Sequence, residues 1–147
     1  MSIDDDTWNR LFKLVPRVTV DAMILNEKGE IVLVKRDVAP ERGKWHFPGG
    51  YVRLNEKVCD AVRRKAEEET GLTVEVVDFF KVYDSAEGNR FFHPLGHIIA
   101  LAYLCKSFWG EMKKNVKFFS YSSKPKTIGF GHEDYLDDLH SAGFLRH

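Results

Sequence analysis

Residues 49–72 read GGYVRLNEKVCDAVRRKAEEETGL, and the rest of the chain is organised around this stretch. The glycine pair Gly49-Gly50 after Pro48 reads as a turn. A helix is predicted from about Glu56 to Thr70, stopped by Gly71. With a rotation of about 100° per residue and Val58 at zero, Val62 falls near about 40°, Glu69 near about 20°, Lys65 near about 340°, Ala61 near about 300° and Glu68 near about 280°, while Glu67 points the opposite way. Glu69 and Lys65 therefore share the sector of the apolar residues, with Glu68 and Arg64 beside it. A carboxylate turned toward the protein needs a compensating partner, because buried charge is costly. The two partners at hand are Lys65 and a bound cation. Hard divalent cations such as Mg²⁺ prefer oxygen ligands and are often held by one or two carboxylates plus substrate phosphates. A glycine pair lets the backbone come close to such a metal and phosphate.

Before this stretch, residues 4–13 predict a short helix with Asp residues at its start and Trp8, Leu11 and Phe12 at helical spacing; Pro16 ends it. Residues 17–25 alternate through Val18, Val20, Ala22 and Ile24, and residues 31–34 are apolar; with a turn around Gly29 the two read as a hairpin. A polar loop, 37–44, leads to Trp45-His46-Phe47-Pro48. After it, residues 72–83 and 96–105 read as strands separated by a loop, and residues 116–121 as a further strand. Residues 132–142 make a last helix with Tyr135, Leu136 and Leu139 on one face. Helices interleaved with strands argue for an α/β fold, a mixed sheet with helices packed on it.

The chain has 147 residues, the size of one domain spanning 1–147. Lys plus Arg and Asp plus Glu number 22 each, so no overall positive field draws in nucleic acid. No stretch approaches the roughly 20 apolar residues of a membrane span. The acidic N-terminus lacks the apolar run of a secretory signal. Cys59 and Cys105 sit in apolar-patterned segments and read as buried free thiols of a reducing compartment, so a cytoplasmic location is expected.

The segment resembles the signature of the Nudix hydrolase family: Gly, five residues, Glu, seven residues, Arg-Glu, an apolar residue, any residue, Glu-Glu, any residue, Gly, apolar. Gly50, Glu56, Arg64, Ala66, Glu68, Glu69, Gly71 and Leu72 stand in register, and Trp45-His46-Phe47-Pro48-Gly49 resembles the usual lead-in. The resemblance implies an α/β/α sandwich with a mixed central sheet and a loop-helix-loop signature. It implies that Glu68 and Glu69 bind Mg²⁺ or Mn²⁺ with the carbonyl of Gly49, that Arg64 orients the carboxylates, and that Glu56 belongs to the same network. The implied reaction is attack of water on a diphosphate, giving two phosphorylated products.

Lys65 stands where the family usually has the first Glu of its Arg-Glu pair. It lies one turn from both Glu68 and Glu69, and is expected either to act as a tethered cation that lowers the number or affinity of metal ions, or to reach out to solvent. A replacement base is sought among Glu111, His97, His132, Glu133 and Asp134. Tyr83-Asp84, Arg90 and Gly96-His97-Ile98-Ile99 resemble ADP-ribose pyrophosphatase-like members. The Val18-Thr19-Val20-Asp21 strand and Lys35-Arg36 are similar to GDP-mannose hydrolases, which release the sugar by attack at its carbon. Arg36, Tyr51 and His97 are the expected substrate-binding residues, with Arg36 placed for a bidentate contact to diphosphate and Tyr51, Phe91 and Phe92 able to stack on a base. The expected partner is a small nucleoside diphosphate derivative such as ADP-ribose or GDP-mannose. The alternatives are a catalytically weak domain that binds a nucleotide as a sensor, and a nucleoside triphosphate pyrophosphohydrolase. Trp8, Leu11 and Phe12 offer a face for packing on the chain's own core or on a second copy in a homodimer.

Overall fold

In β1 (Arg17–Ile24), every side chain of residues 19–24 is buried, because the strand lies between two layers. Val20, Ala22 and Ile24 pack with Ala61, Val62 and Ala66 of α2 (Val58–Thr70). Met23 points the other way, into a core shared with Tyr135, Leu136 and Leu139 of α3 (Glu133–Ser141). The same division runs along β2 (Ile31–Lys35): Val32 and Val34 face the α2 side, Ile31 and Leu33 the α3 side. Strands covered on both faces read as continuous apolar runs. These two cores, one on each side of the strands, make the expected α/β/α arrangement. The computed structural model describes residues 3–86, 93–94 and 96–147; Arg90, Phe91 and Phe92 of the expected nucleotide loop lie outside them.

The strands form two sheets. β4 (Gly49–Tyr51), β1, β6 (Ile98–Gly110) and β5 (Leu72–Asp84) make a mixed four-stranded sheet in that order, with β1 and β6 parallel. β3 (Trp45–His46), β2 and β7 (Val116–Phe119) make a second, antiparallel sheet. The expected β1–β2 hairpin is corrected here. The chain does turn back at Gly29, but only the Leu25–Ile31 bridge joins the two arms. β1 pairs along one edge with β6, from Arg17↔Ile98 to Ile24↔Cys105, and along the other with β4. With both edges taken, β2 pairs with β3 and β7 instead.

Gly49-Gly50 is likewise not a turn but the start of β4, antiparallel to β1, with Asp21 opposite Gly49 and Val20 opposite Gly50. α2 begins at Val58 rather than Glu56: Asn55 has a φ of 63° and Lys57 is extended, so Glu56 lies in a bend that its own carboxylate closes by accepting from Arg53 N–H at 3.0 Å. The helix ends as read. Gly71 takes the left-handed conformation, and a Cβ there would lie 2.2 Å from the carbonyl oxygen of Glu111. Cys105 is buried, but Cys59 only half-buried; both are free.

At the N-terminus, Asp4 caps α1 (Asp5–Leu14) by accepting from Thr7 N–H at 2.9 Å. Its aromatic face is spent within the chain. Trp8 and Phe12 meet Tyr51 edge-on, at 4.9 and 5.8 Å between centroids, and the Arg17 guanidinium lies 3.9 Å from the Trp8 ring. Among the described residues, no helix is long and apolar enough to cross a membrane.

Candidate active site

Where β4 meets the C-terminal half of α2, a cavity of about 310 Å³ opens. Its lining includes Asp21, Arg36, His46, Gly49, Gly50, Tyr51, Lys65, Glu69, His93, Phe130 and His132. The helical periodicity read from the sequence puts Lys65 and Glu69 there. Glu69 Oε1 accepts from the Gly49 N–H at 3.0 Å, tying α2 to β4. The Lys65 ammonium lies 3.2 Å from Glu68 Oε2 and 3.6 Å from Glu69 Oε1. It bridges the two carboxylates, and the expectation that it reaches out to solvent is set aside. Burial pushes the Glu68 carboxyl up, but Lys65 and Arg64 together hold it below its ordinary value.

A side chain at either glycine would meet a close neighbour. A Cβ on Gly49 would lie 2.2 Å from Asp21 Oδ1 and 2.3 Å from the Val20 carbonyl oxygen; one on Gly50 would lie 2.6 Å from Lys65 Cε. Arg64 stands behind this layer. Its Nε and Nη2 donate to Glu56 at 2.7 and 2.9 Å, Nη2 also donates to the Tyr51 carbonyl at 3.0 Å, and Nη1 reaches Glu68 at 3.4 Å. This paired fork holds the Glu56 carboxyl down to about 2. Glu56 and Arg64 thus fix the backbone of β4 and the start of α2 without lining the cavity.

Of the expected substrate-binding residues, two line the cavity. Arg36 is pinned by its Nε to the Pro40 carbonyl and lies 5.1 Å from the Phe130 ring. Tyr51 lines the cavity, and Trp8 and Phe12 of α1 meet its ring edge-on. His97 is placed elsewhere. Its Nε2 pairs with Asp84 Oδ1 at 2.8 Å, outside the cavity lining. Of the five candidate bases, only His132 reaches the cavity. It is buried, and its Nδ1 accepts from the Phe47 N–H at 3.0 Å. Burial holds its ring well below the ordinary value and so neutral.

Two residues were missed. Asp21 is buried on β1, accepts from the Tyr135 hydroxyl at 2.6 Å, and is pushed up to about 7 by burial, with the Glu69 charge adding to the effect and the Tyr135 bond opposing it. An acid inside the apolar run of residues 18–25 was the available signal. His46 is buried on β3 and lines the same cavity, within the quoted Trp45-His46-Phe47 lead-in.

Carboxylates Glu68 and Glu69 and the backbone of Gly49 are the hard oxygen donors a divalent ion takes, but the Lys65 ammonium already stands between the two carboxylates. Among the described residues, no group of three or more His, Cys, Asp or Glu side chains is placed to hold an ion. Two carboxylates and one backbone carbonyl would leave a bound ion to complete its shell from substrate phosphates.

The family model described as the NUDIX domain matches residues 15–129. An ADP-ribose pyrophosphatase of Methanocaldococcus jannaschii is 35% identical over 130 residues, covering 85% of this chain and 73% of that one. A MutT NUDIX hydrolase from Burkholderia pseudomallei superposes with a TM-score of 0.72 at 32% identity, covering 85% and 98% of the two chains. An ADP-ribose pyrophosphatase from Streptococcus suis superposes at 0.71 with 26% identity, covering 90% and 96%. With the signature helix facing a cavity and the match running from the end of α1 past β7, the chain belongs to the Nudix hydrolase family and is a pyrophosphatase.

Proposed function

We propose that the protein hydrolyses a nucleoside diphosphate linked to another moiety, either ADP-ribose or a nucleotide sugar such as GDP-mannose, with the help of Mg²⁺ or Mn²⁺. The observation that carries this reading is the pairing, in one cavity, of the Glu69–Lys65 end of the signature helix with Arg36 and Tyr51. A diphosphate meets cations from Lys65 and Arg36, and an attached ring system meets Tyr51 and Phe130. A cavity near 310 Å³ suits a small molecule rather than a polynucleotide. The Methanocaldococcus jannaschii relative, named for ADP-ribose, supports the substrate class.

Family members typically use a divalent metal. Glu68, Glu69 and the Gly49 carbonyl would hold it here, and when bound it neutralises the diphosphate and activates or positions water. Lys65 supplies part of the same positive charge from the protein. Arg64 and Glu56 keep β4 and α2 at a fixed spacing, so that the donors of Gly49 and Glu69 stay together.

The test is product release from ADP-ribose, GDP-mannose, other nucleotide sugars, dinucleotides and nucleoside triphosphates with Mg²⁺ or Mn²⁺. Dominant turnover of a diphosphate-linked substrate, lost in Glu69→Gln, supports the proposal. Dominant turnover of triphosphates would reassign the substrate. Tight binding of a nucleotide without any turnover would make the protein a nucleotide sensor, the alternative that Lys65 keeps open.

A further inference from the structure

His46 has one ring nitrogen committed and one open. Its Nδ1 lies 2.7 Å from the carbonyl oxygen of Phe47. A carbonyl oxygen only accepts, so Nδ1 carries the proton, and the neutral ring has an unshared pair on Nε2. The residue is 6% exposed. Among the described residues, the one sealed side-chain nitrogen or oxygen without a hydrogen-bond partner is Arg17 Nη1. His46 Nε2 makes no bond within those residues either, yet it is not a sealed atom, and His46 lines the cavity.

The other two imidazoles of the cavity are differently placed. His132 uses Nδ1 to accept from the Phe47 N–H, and His93 stacks on the Phe130 ring at 5.2 Å. The charges that face His46 are Glu69 and Lys65 from α2 and Arg36 from the end of β2, with the neutral His132 ring 6.4 Å away. Burial, the leading effect, holds His46 below its ordinary value and so neutral near pH 7. The position of Lys65 leaves the signature one carboxylate short, and of the five expected bases only His132 lines the cavity, with its Nδ1 taken by the Phe47 N–H.

We propose that His46 is the catalytic base: its Nε2 takes a proton from the water that attacks phosphorus in a diphosphate held in the cavity lined by Arg36 and Lys65. The water oxygen forms the new bond to phosphorus. The bridging phosphorus–oxygen bond breaks, and its electron pair leaves with the departing phosphate. The water proton passes to Nε2, and the resulting imidazolium returns it to the departing phosphate or to solvent. This assignment rests on the hydrolase reading above.

The experiment compares wild type, His46→Gln and His46→Ala on the same substrate panel at saturating Mg²⁺, with folding checked by thermal melting. Gln keeps an acceptor but is not a base. Both variants are expected to lose kcat by about 10²- to 10⁴-fold, the range of general-base contributions, with KM changing far less. Added imidazole should restore part of the His46→Ala rate, which a purely structural role would not allow. Retention of kcat within about threefold by His46→Gln would overturn the assignment, since that is far below a base's contribution. If wild type acts on triphosphates alone, the substrate reading fails and the same comparison on triphosphate decides His46. A wild type that hydrolyses nothing in the panel overturns both.

Discussion

Lys65 Nζ lies 3.6 Å from Glu69 Oε1, one helical turn apart on the cavity side of α2. The ammonium is also 3.2 Å from Glu68, so a protein cation bridges the two carboxylates proposed to hold a metal ion. The pair is largely shielded, with about a fifth of each side chain exposed, and it is expected to compete with a bound metal. Replacing Lys65 with Glu removes the competitor and adds a donor. Mn²⁺ affinity measured by titration calorimetry is expected to rise by about tenfold or more. Unchanged affinity would mean that the ammonium does not compete.

The two signature carboxylates are not equivalent. Glu69 lines the cavity and holds the Gly49 N–H, while Glu68 is 44% exposed and lies outside the lining. Glu69→Gln is expected to reduce turnover by about 100-fold with little change in melting temperature, and Glu68→Gln by about tenfold or less. Steady-state kinetics on the best panel substrate orders them; equal losses would show that Glu68 turns inward in the working enzyme.

Arg64 is expected to matter through geometry. Its guanidinium joins Glu56 to the Tyr51 carbonyl, which an ammonium cannot do at both points. Arg64→Ala should cost about 1–3 kcal/mol in urea unfolding, the range for charge-assisted hydrogen bonds, and Arg64→Lys should recover less than half. Full recovery by Lys would reduce the role to charge alone.

Asp21 is expected to set a pH dependence whose sign follows from its burial. Its folded-state value, about 7, lies above its ordinary 3.8. Stability from this group is therefore complete below about pH 4 and declines as the pH rises through 7, because the folded state binds the extra proton. Asp21→Asn removes the titration while keeping an acceptor for Tyr135. In EDTA, the variant should melt above wild type at pH 8, by on the order of 1–3 kcal/mol, and the gap should close toward pH 4. A gap that does not change with pH would show that Asp21 is not protonated on folding. Glu56 acts oppositely: held near 2, below its ordinary 4.5, it contributes stability above about pH 4.5 that is lost as the pH falls toward 2.

The sidedness of α2 was legible because helical rotation is local: Val58, Val62 and Ala66 mark one face, and Lys65 and Glu69 follow from it. The pairing of β1 was not. Its neighbours are fixed by residues of β4 and β6 far along the chain, and an apolar run buried on both faces carries no record of which strand lies at either edge. His97 was misplaced for a related reason. It sits at the entrance to an inner strand, but Asp84 on β5 takes its ring. Asp21 and His46 each stand alone among apolar residues in sequence, and their surroundings, Tyr135, Glu69 and the cavity, are assembled only by the fold.

The space beside Gly50 is filled by the stem of Lys65, whose Cε lies 2.6 Å from where a Cβ would be. That neighbour is the far end of a flexible side chain rather than backbone. A methyl at position 50 would therefore displace the ammonium from Glu68 and Glu69 while leaving every charge in place. Positions 50 and 65 are in this sense epistatic: the effect of a change at one is written through the other. Gly50→Ala in the Lys65 protein should resemble loss of the lysine, and in a Lys65→Glu background the same methyl would meet a shorter side chain and do much less.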